Sequence, residues 1–263
     1  MDANNWLKQA AGKPLFDDLL WSRPEHRAQA GKLLIVGGNL HGFAAPALAF
    51  SEAAAAGIGS SRVLLPEAVR KLLPKGFLAA EFAPSTPSGS FAKQALSELL
   101  THAHWADGVL LAGDLGRNSE TAILLEEFAG KYSGQLSITQ DAADYFILNP
   151  HKLLQRANSA MVISYAQLRR LMVNAHSPQA FTFNMDLLHI VEALQLVSKQ
   201  YAPAIITKHN NVIFVAVDGQ VSTTNLAEDL PVWRVATAAH AATWWLQNPS
   251  QTLQALTTSL VAK

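Results

Sequence analysis

The stretch GKLLIVGGNLHGFAAP, residues 31–46, decides the fold. Leu33, Leu34, Ile35 and Val36 are apolar without alternation, as in a strand buried on both faces. Gly37 and Gly38 end that run. After Asn39–Phe43 an alanine-rich helix begins, with Pro46 in its first turn, where a missing N–H costs little. A strand that turns through glycines into a helix is the first half of a βα unit. Glycines at such a junction let backbone N–H groups approach a ligand phosphate. On spacing alone a plain tight turn is the stronger reading, because the pattern is not G-x-G-x-x-G and no P-loop G-K-[ST] follows.

The same alternation recurs along the chain. RVLL (62–65), GVLLAG (108–113), QLSIT (135–139), AMVIS (160–164) and AIIT (204–207) read as further buried strands. Helical spacing falls at Pro46–Ala56, Ser90–His102, Ser119–Tyr132, Tyr165–Asn174 and Met185–Gln200. Strands alternating with helices predict an α/β fold with a mostly parallel central sheet and helices on both faces. NVIFVAVDGQVSTTN (211–225) is the exception. Its Asp218-Gly219 supplies a type I′ turn, which predicts an antiparallel hairpin at the sheet's edge. There is no internal repeat, and APSTPSG (83–89) is too short for a domain linker, so residues 1–263 are expected to form one domain. Residues 1–30, with Trp6, Leu7, Phe16, Leu19, Leu20 and Trp21, are expected to pack outside the sheet as a helical extension.

Composition narrows the function. At 49% hydrophobic over 263 residues, the chain can bury a sizeable core. Twenty basic and 20 acidic residues cancel with no run of one sign, giving no electrostatic case for nucleic acid or an anionic membrane as partner. Cysteine is absent, which excludes disulfides and thiolate chemistry and fits a cytoplasmic protein. No apolar run reaches the length of a membrane span, and MDANNWLKQA lacks a signal-peptide core. The nine histidines show no metal-ligand spacing, and His102 and His104 project from different faces of a helix, so no metal is expected.

Taken in order, several segments resemble the ADP- or ATP-dependent NAD(P)H-hydrate dehydratases, lyases of the ribokinase-like superfamily that repair hydrated nicotinamide cofactors. They are Arg23-Pro24-Glu25-His26 through Lys32, LLIVGGN, AAPALA, AAAAGIGSSRVLLPE, GVLLAGDLGR (108–117), QDA (140–142), NPH (149–151), AIITKHNNVIFVAVDG and LQNPSQTLQAL (246–256). The resemblance spans roughly residues 20–258. It implies a ribokinase-like three-layer sandwich, with ADP or ATP and NAD(P)(H) as cofactors and a small-molecule nucleotide as partner, and by analogy a homo-oligomer. It also implies nucleotide- or substrate-binding roles for Gly37, Gly38, Asn39, His41, Gly113, His151 and Lys208.

The pattern breaks where the family's chemistry lies. The family's Gly-Thr-Gly-Asp loop forms an anion hole from helix N-terminal amides, and its aspartate is the acid/base. Counted back from Asn248-Pro249, that loop falls on Val232-Trp233-Arg234-Val235, and no glycine or carboxylate side chain follows it. Bulky side chains there disfavour the tight backbone of an amide anion hole. Arg234 offers a side-chain donor for phosphate, although a surface position is expected for it. Trp233, Trp244 and Trp245 are expected to pack in the core rather than stack a base. Asp114 replaces a neutral residue of the family's Gly-Pro-Gly-Leu-Gly turn, and an N-cap or Asx turn is the stronger reading for it. Three readings follow: a catalytically diverged homologue that still binds a nucleotide, a non-catalytic scaffold or interaction subunit, and an active lyase or small-molecule kinase with relocated groups. In the third, Asp114 and Asp141 are the candidate bases.

Overall fold

The buried apolar runs pair into a ten-stranded sheet in a computed structural model that describes residues 5–73, 79–226 and 233–261. The strands are β1 (Trp6–Gln9), β2 (Lys32–Gly37), β3 (Ser60–Pro66), β4 (Ala80–Ala83), β5 (Gly108–Gly113), β6 (Gln135–Thr139), β7 (Ser159–Ser164), β8 (Ala204–His209), β9 (Val212–Val217) and β10 (Gln220–Asn225). Their order across the sheet is β1-β10-β9-β8-β7-β6-β5-β2-β3-β4. Only β9 runs against its neighbours; every other pairing is parallel.

Among the described residues ten α-helices flank the sheet: α1 (Asp18–Trp21), α2 (Ala44–Ala55), α3 (Leu96–Trp105), α4 (Ser119–Lys131), α5 (Gln140–Leu148), α6 (His151–Leu154), α7 (Tyr165–Asn174), α8 (Leu187–Gln200), α9 (Trp233–Gln247) and α10 (Thr252–Thr258). Alternate residues of each strand serve opposite faces. Leu33, Ile35 and Leu110 meet Ala45, Ala49 and Ala53 of α2 and Ala238 and Ala242 of α9, where small side chains let two helices lie close. Leu34, Val36 and Leu111 belong to the core of the opposite face, which extends along the sheet through Leu99 of α3, Phe128 of α4, Phe146 of α5, Leu168 of α7 and Leu194 of α8. Each fully buried Leu or Ile contributes about 1.5–3 kcal/mol relative to exposure. This is the three-layer arrangement that unalternated strands require.

The expected hairpin is present. Gln220–Asn225 pair antiparallel with Val217–Val212, and Asp218 and Gly219 carry φ of 48° and 78°, the two left-handed residues a type I′ turn demands. Trp244 and Trp245 are buried in the core as expected. The N-terminal segment is corrected. Residues 6–9 form a strand beside β10, not a helix, and among the described residues before β2 only the four of α1 are α-helical. Trp6 Nε1 donates to Thr223 Oγ1 at 3.0 Å, and Gln9 Nε2 donates to Thr224 Oγ1 at 3.1 Å and to the Thr257 carbonyl at 2.7 Å. The open edge of β10 recruits this segment, and four residues are too few to show a period.

Candidate functional site

The chain leaves β2 through β3 and β4 toward one edge, then returns to place β5 on the other side of β2. Connections diverge at such a switch point, and ligands of open α/β sheets bind in the crevice it leaves at the strands' C-terminal ends. Here the crevice is framed by residues 37–43 after β2 and 113–118 after β5.

The glycines of this junction are needed for close backbone approach. A Cβ on Gly37 would lie 2.4 Å from the Gly113 carbonyl oxygen, and Gly38 and Gly113 have φ of +84° and +111°. The Gly38 N–H donates to that same Gly113 carbonyl at 2.9 Å. Asn39 and Gly42 exchange backbone hydrogen bonds, the Leu40 N–H donates to the Gly89 carbonyl, and the His41 N–H donates to Asn39 Oδ1. The amides of residues 38–42 therefore all donate within the protein, and the phosphate cradle expected of Gly37, Gly38 and Asn39 is internally closed.

Asp114 completes the closure. It adopts φ 57°, a conformation that aspartate tolerates better than most residues. Its Oδ2 accepts the Ala45 N–H in the first turn of α2 at 2.7 Å, and its carbonyl accepts Asn39 Nδ2 at 2.6 Å. It is thus an N-terminal cap supplied to α2 from another segment. Asp141, the second relocated-base candidate, is half-buried at the start of α5. Its Oδ2 accepts the Gly116 N–H at 3.1 Å, while its buried Oδ1 has no hydrogen-bond partner among the described residues. Burial pushes its carboxyl above the usual carboxylate range, the Gly116 N–H opposes that shift, and the Asp114 charge adds to it. Tyr145 holds the same loop, donating to the Gly116 carbonyl at 2.6 Å and accepting the Asn118 N–H at 3.2 Å. Burial raises its phenol as well.

A second polar group joins the ends of β6 and β7 to α9. Ser164 caps α7 in a capping box with Gln167. Gln167 Nε2 donates to the Gln140 carbonyl at 2.8 Å and to Asp144 Oδ1 at 3.1 Å. Gln167 Oε1 accepts from Arg234 Nη1 at 3.0 Å. Arg234 is therefore not a surface residue. Its half-buried guanidinium stands at the first turn of α9 and is lowered by burial against the charges of Asp144 and Asp141. Asp144 also pairs with Arg170 at 3.2 Å. A cleft of about 660 Å³ opens beside this network, lined among others by Gly116, Arg117, Asn118, Asp141, Asp144, Tyr145 and Arg170. That volume is within the roughly 300–1,000 Å³ usual for small-ligand pockets.

The other predicted residues are spread more widely. Val235 is 1% exposed and packs with α2 and the sheet, so the family's acid/base position is apolar core. Val232 lies outside the described residues. Lys208 is half-buried at the C-terminal end of β8, opposite Ser164 in the ladder. His41 is exposed at the rim. His151 is exposed in α6, which α5 carries away from the strands' C-terminal ends toward the start of β7; the structure does not bring it to the site. Sequence reasoning missed Asp144, Tyr145, Gln167 and Arg170. Only Gln167 carried a local signal, the serine at a strand end followed three residues later by glutamine. Among the described residues no group of three or more His, Asp or Glu could hold a metal, and no helix is long and apolar enough to cross a membrane.

No family model and no curated protein matches the chain. Solved structures do. A ribokinase-like superfamily protein from Enterococcus faecalis superposes over 99% of this chain and 87% of its own, with TM-score 0.73 at 13% identity. A hypothetical protein from Streptococcus mutans matches over 92% of this chain and 85% of its own, with TM-score 0.69 at 14% identity. The ADP/ATP-dependent NAD(P)H-hydrate dehydratase of Bacillus subtilis, crystallised with ATP and Mg²⁺ and soaked with CoA, matches over 94% of this chain and 86% of its own, with TM-score 0.63 at 12% identity. The chain has the ribokinase-like fold, the fold that this dehydratase shares.

Proposed function

We propose that this protein is a catalytically diverged relative of the NAD(P)H-hydrate dehydratases that takes a nucleotide in the cleft beside the β5–α4 loop. The observation that carries the reading is the first turn of α9. Where the family has an amide anion hole and an aspartate, this chain has a buried Val235 and an arginine bonded into the cleft network. The backbone amides after β2 do not fit a phosphate, since they already donate internally. Arg117 and Arg170 on the cleft wall support a phosphate site there, since arginine binds phosphate oxygens through its planar fork; Asp141 and Asp144 share that wall, and Arg170 would exchange its pairing with Asp144 for the ligand. ADP, ATP or a nicotinamide nucleotide is the proposed ligand class. The scaffold reading stands as the alternative, because Asp114 and Asp141 both serve as loop and helix pins. That engagement speaks against Asp114 as a relocated base; Asp141, whose Oδ1 has no partner among the described residues, remains the candidate of the active-lyase reading.

Two measurements test the proposal. NADH regeneration from its hydrate, followed at the nicotinamide absorbance with ADP or ATP, should show no turnover near one per second, a rate inside the usual enzyme range. ADP, ATP, NAD or NADP at 100 times its dissociation constant should stabilise the fold by about 2.7 kcal/mol. Arg170→Ala should weaken that binding by roughly tenfold or more, the worth of one charge-assisted hydrogen bond. Absence of any nucleotide-induced shift in the parent protein would favour the scaffold, and efficient turnover would overturn the divergence.

A further inference from the structure

The end of α5, one side of α7 and the loop that follows α7 enclose a second groove, of about 540 Å³, beside the cleft already described. Leu148 and Arg170 line both. The walls of the second groove are held from several sides. Asn174 Nδ2 donates to the Ile147 carbonyl at 2.7 Å, tying the end of α7 to α5. Arg169 Nε donates to the Phe181 carbonyl at 2.9 Å and the Tyr165 hydroxyl donates to the Thr182 carbonyl at 3.0 Å, which lays residues 181–183 back along α7. On these fixed walls stand Leu148, Val173 and Phe183, which are 74%, 72% and 56% exposed. Large apolar side chains gathered so openly mark a binding surface. The volume falls within the roughly 300–1,000 Å³ of small-ligand pockets.

The charge of the groove selects among ligands. Arg169 and Arg170 line it, and no carboxylate does. The Arg169 guanidinium lies 4.3 Å from the centroid of the Phe183 ring, and its Nη atoms form no hydrogen bond or ion pair among the described residues. Arg170 is paired at 3.2 Å with Asp144, which lines the other cleft. Arg169 is therefore the cation open to a ligand, and its planar fork matches a carboxylate. We infer that this groove is a binding site for a small amphipathic organic anion, whose apolar chain lies along Leu148, Val173 and Phe183 and whose carboxylate pairs with Arg169. The inference does not depend on nucleotide binding in the neighbouring cleft.

Isothermal titration calorimetry of the full chain with decanoate, below micelle formation and at fixed ionic strength, tests it. The expected result is saturable binding of about one decanoate per chain, as for a single built pocket. Each methylene removed, in octanoate and hexanoate, should weaken binding by up to about fourfold. Decyltrimethylammonium has the same chain and the opposite charge, and should bind weaker by roughly tenfold or more. Arg169→Gln should cost decanoate a similar factor, and Val173→Asp, a change at an exposed position, should abolish its binding by setting a carboxylate beside the chain. Thermal melts establish that both variants fold; should Arg169→Gln fail to do so, Val173→Asp decides alone. No decanoate binding, equal binding of the two head groups, or binding that Val173→Asp leaves unchanged would each overturn the inference. Sedimentation velocity covers the rival occupant: a parent dimer that Val173→Asp dissociates, with no decanoate bound, would assign the groove to a second copy of the chain and overturn the inference as well.

Discussion

At the scale of single residues, Val235 and Asp141 are two carboxylate questions of opposite kind: one position is apolar, the other holds a half-buried acid. Val235 is enclosed by the core between α9, α2 and the sheet. Val235→Asp should therefore destabilise the fold by about 3–5 kcal/mol near neutral pH, the cost of an uncompensated buried charge. Burial would raise the new carboxyl's pKa, so part of that loss should return as pH falls and the group protonates. Urea unfolding at pH 7 and pH 5 reads both effects. Under the proposed function the same variant should show no NADH-hydrate turnover, since Trp233 and Arg234 still stand where the resemblance places the anion hole. Asp141 makes the complementary case. Its folded pKa lies above the ordinary carboxylate value of about 3.9. The proton is thus held more tightly in the folded state. The resulting contribution is fully favourable below the unfolded pKa and is lost as pH rises through the folded one. Asp141→Asn keeps an acceptor for the Gly116 N–H and removes the charge. Its stability relative to the parent should rise from pH 3.5 to pH 7.5, as thermal melts would show; a gap that widens toward acid would contradict the assignment.

At the scale of elements, the β2–α2 junction separates two kinds of glycine. Gly37 faces the Gly113 carbonyl, a backbone atom fixed between β2 and β5 and bonded to the Gly38 N–H. Gly37→Ala must push those strands apart and should cost about 1–3 kcal/mol or more. Gly42, in the same loop, has no neighbouring atom within 4 Å of an added Cβ. Gly42→Ala should stay within about ±0.5 kcal/mol, as for ordinary surface changes. Chemical denaturation of the two variants side by side checks the contrast, and equal losses would refute it. The paired result bears on how glycines are read: GGN at a strand end looks the same in a sequence whether its amides serve a ligand or a neighbouring strand. Here the neighbouring strand is β5, whose Gly113 lies opposite Gly37 in the ladder but far along the chain, so its demand on Gly37 is invisible locally.

At the scale of the whole molecule, the chain closes its sheet by bringing β1 back to β10 and α10 beneath them. Ser222 and Thr257 share a hydrogen bond of 2.6 Å, and the buried Gln9 side chain joins Thr224 to the Thr257 carbonyl while accepting the Leu15 N–H. Removing residues 1–10 would strip the β10 edge of its partner and leave these groups without Gln9. A buried polar group deprived of its partner costs about 1–3 kcal/mol, and a bare strand edge invites intermolecular pairing. The truncated chain should unfold at lower temperature and scatter light on heating below the parent's Tm; an unchanged melt would show that β1 contributes nothing. Much of this architecture was legible beforehand. Unalternated runs such as Leu33–Val36 and Val109–Leu111 announce doubly covered parallel strands, and Asp218-Gly219 announces the hairpin, because burial on two faces and positive φ are local demands that residue types must meet. The lack of a carboxylate side chain after Asp229 likewise settled, without coordinates, that no aspartate stands at the start of α9. Only the tertiary structure decided the rest: that residues 6–9 are a strand, that His151 lies away from the site, that Arg234 turns inward to Gln167, and that Asp114 occupies the end of α2. Each of these depends on what a distant segment offers as a hydrogen-bond partner, and such partners are set by the packing of the whole chain, which no local pattern of residues records.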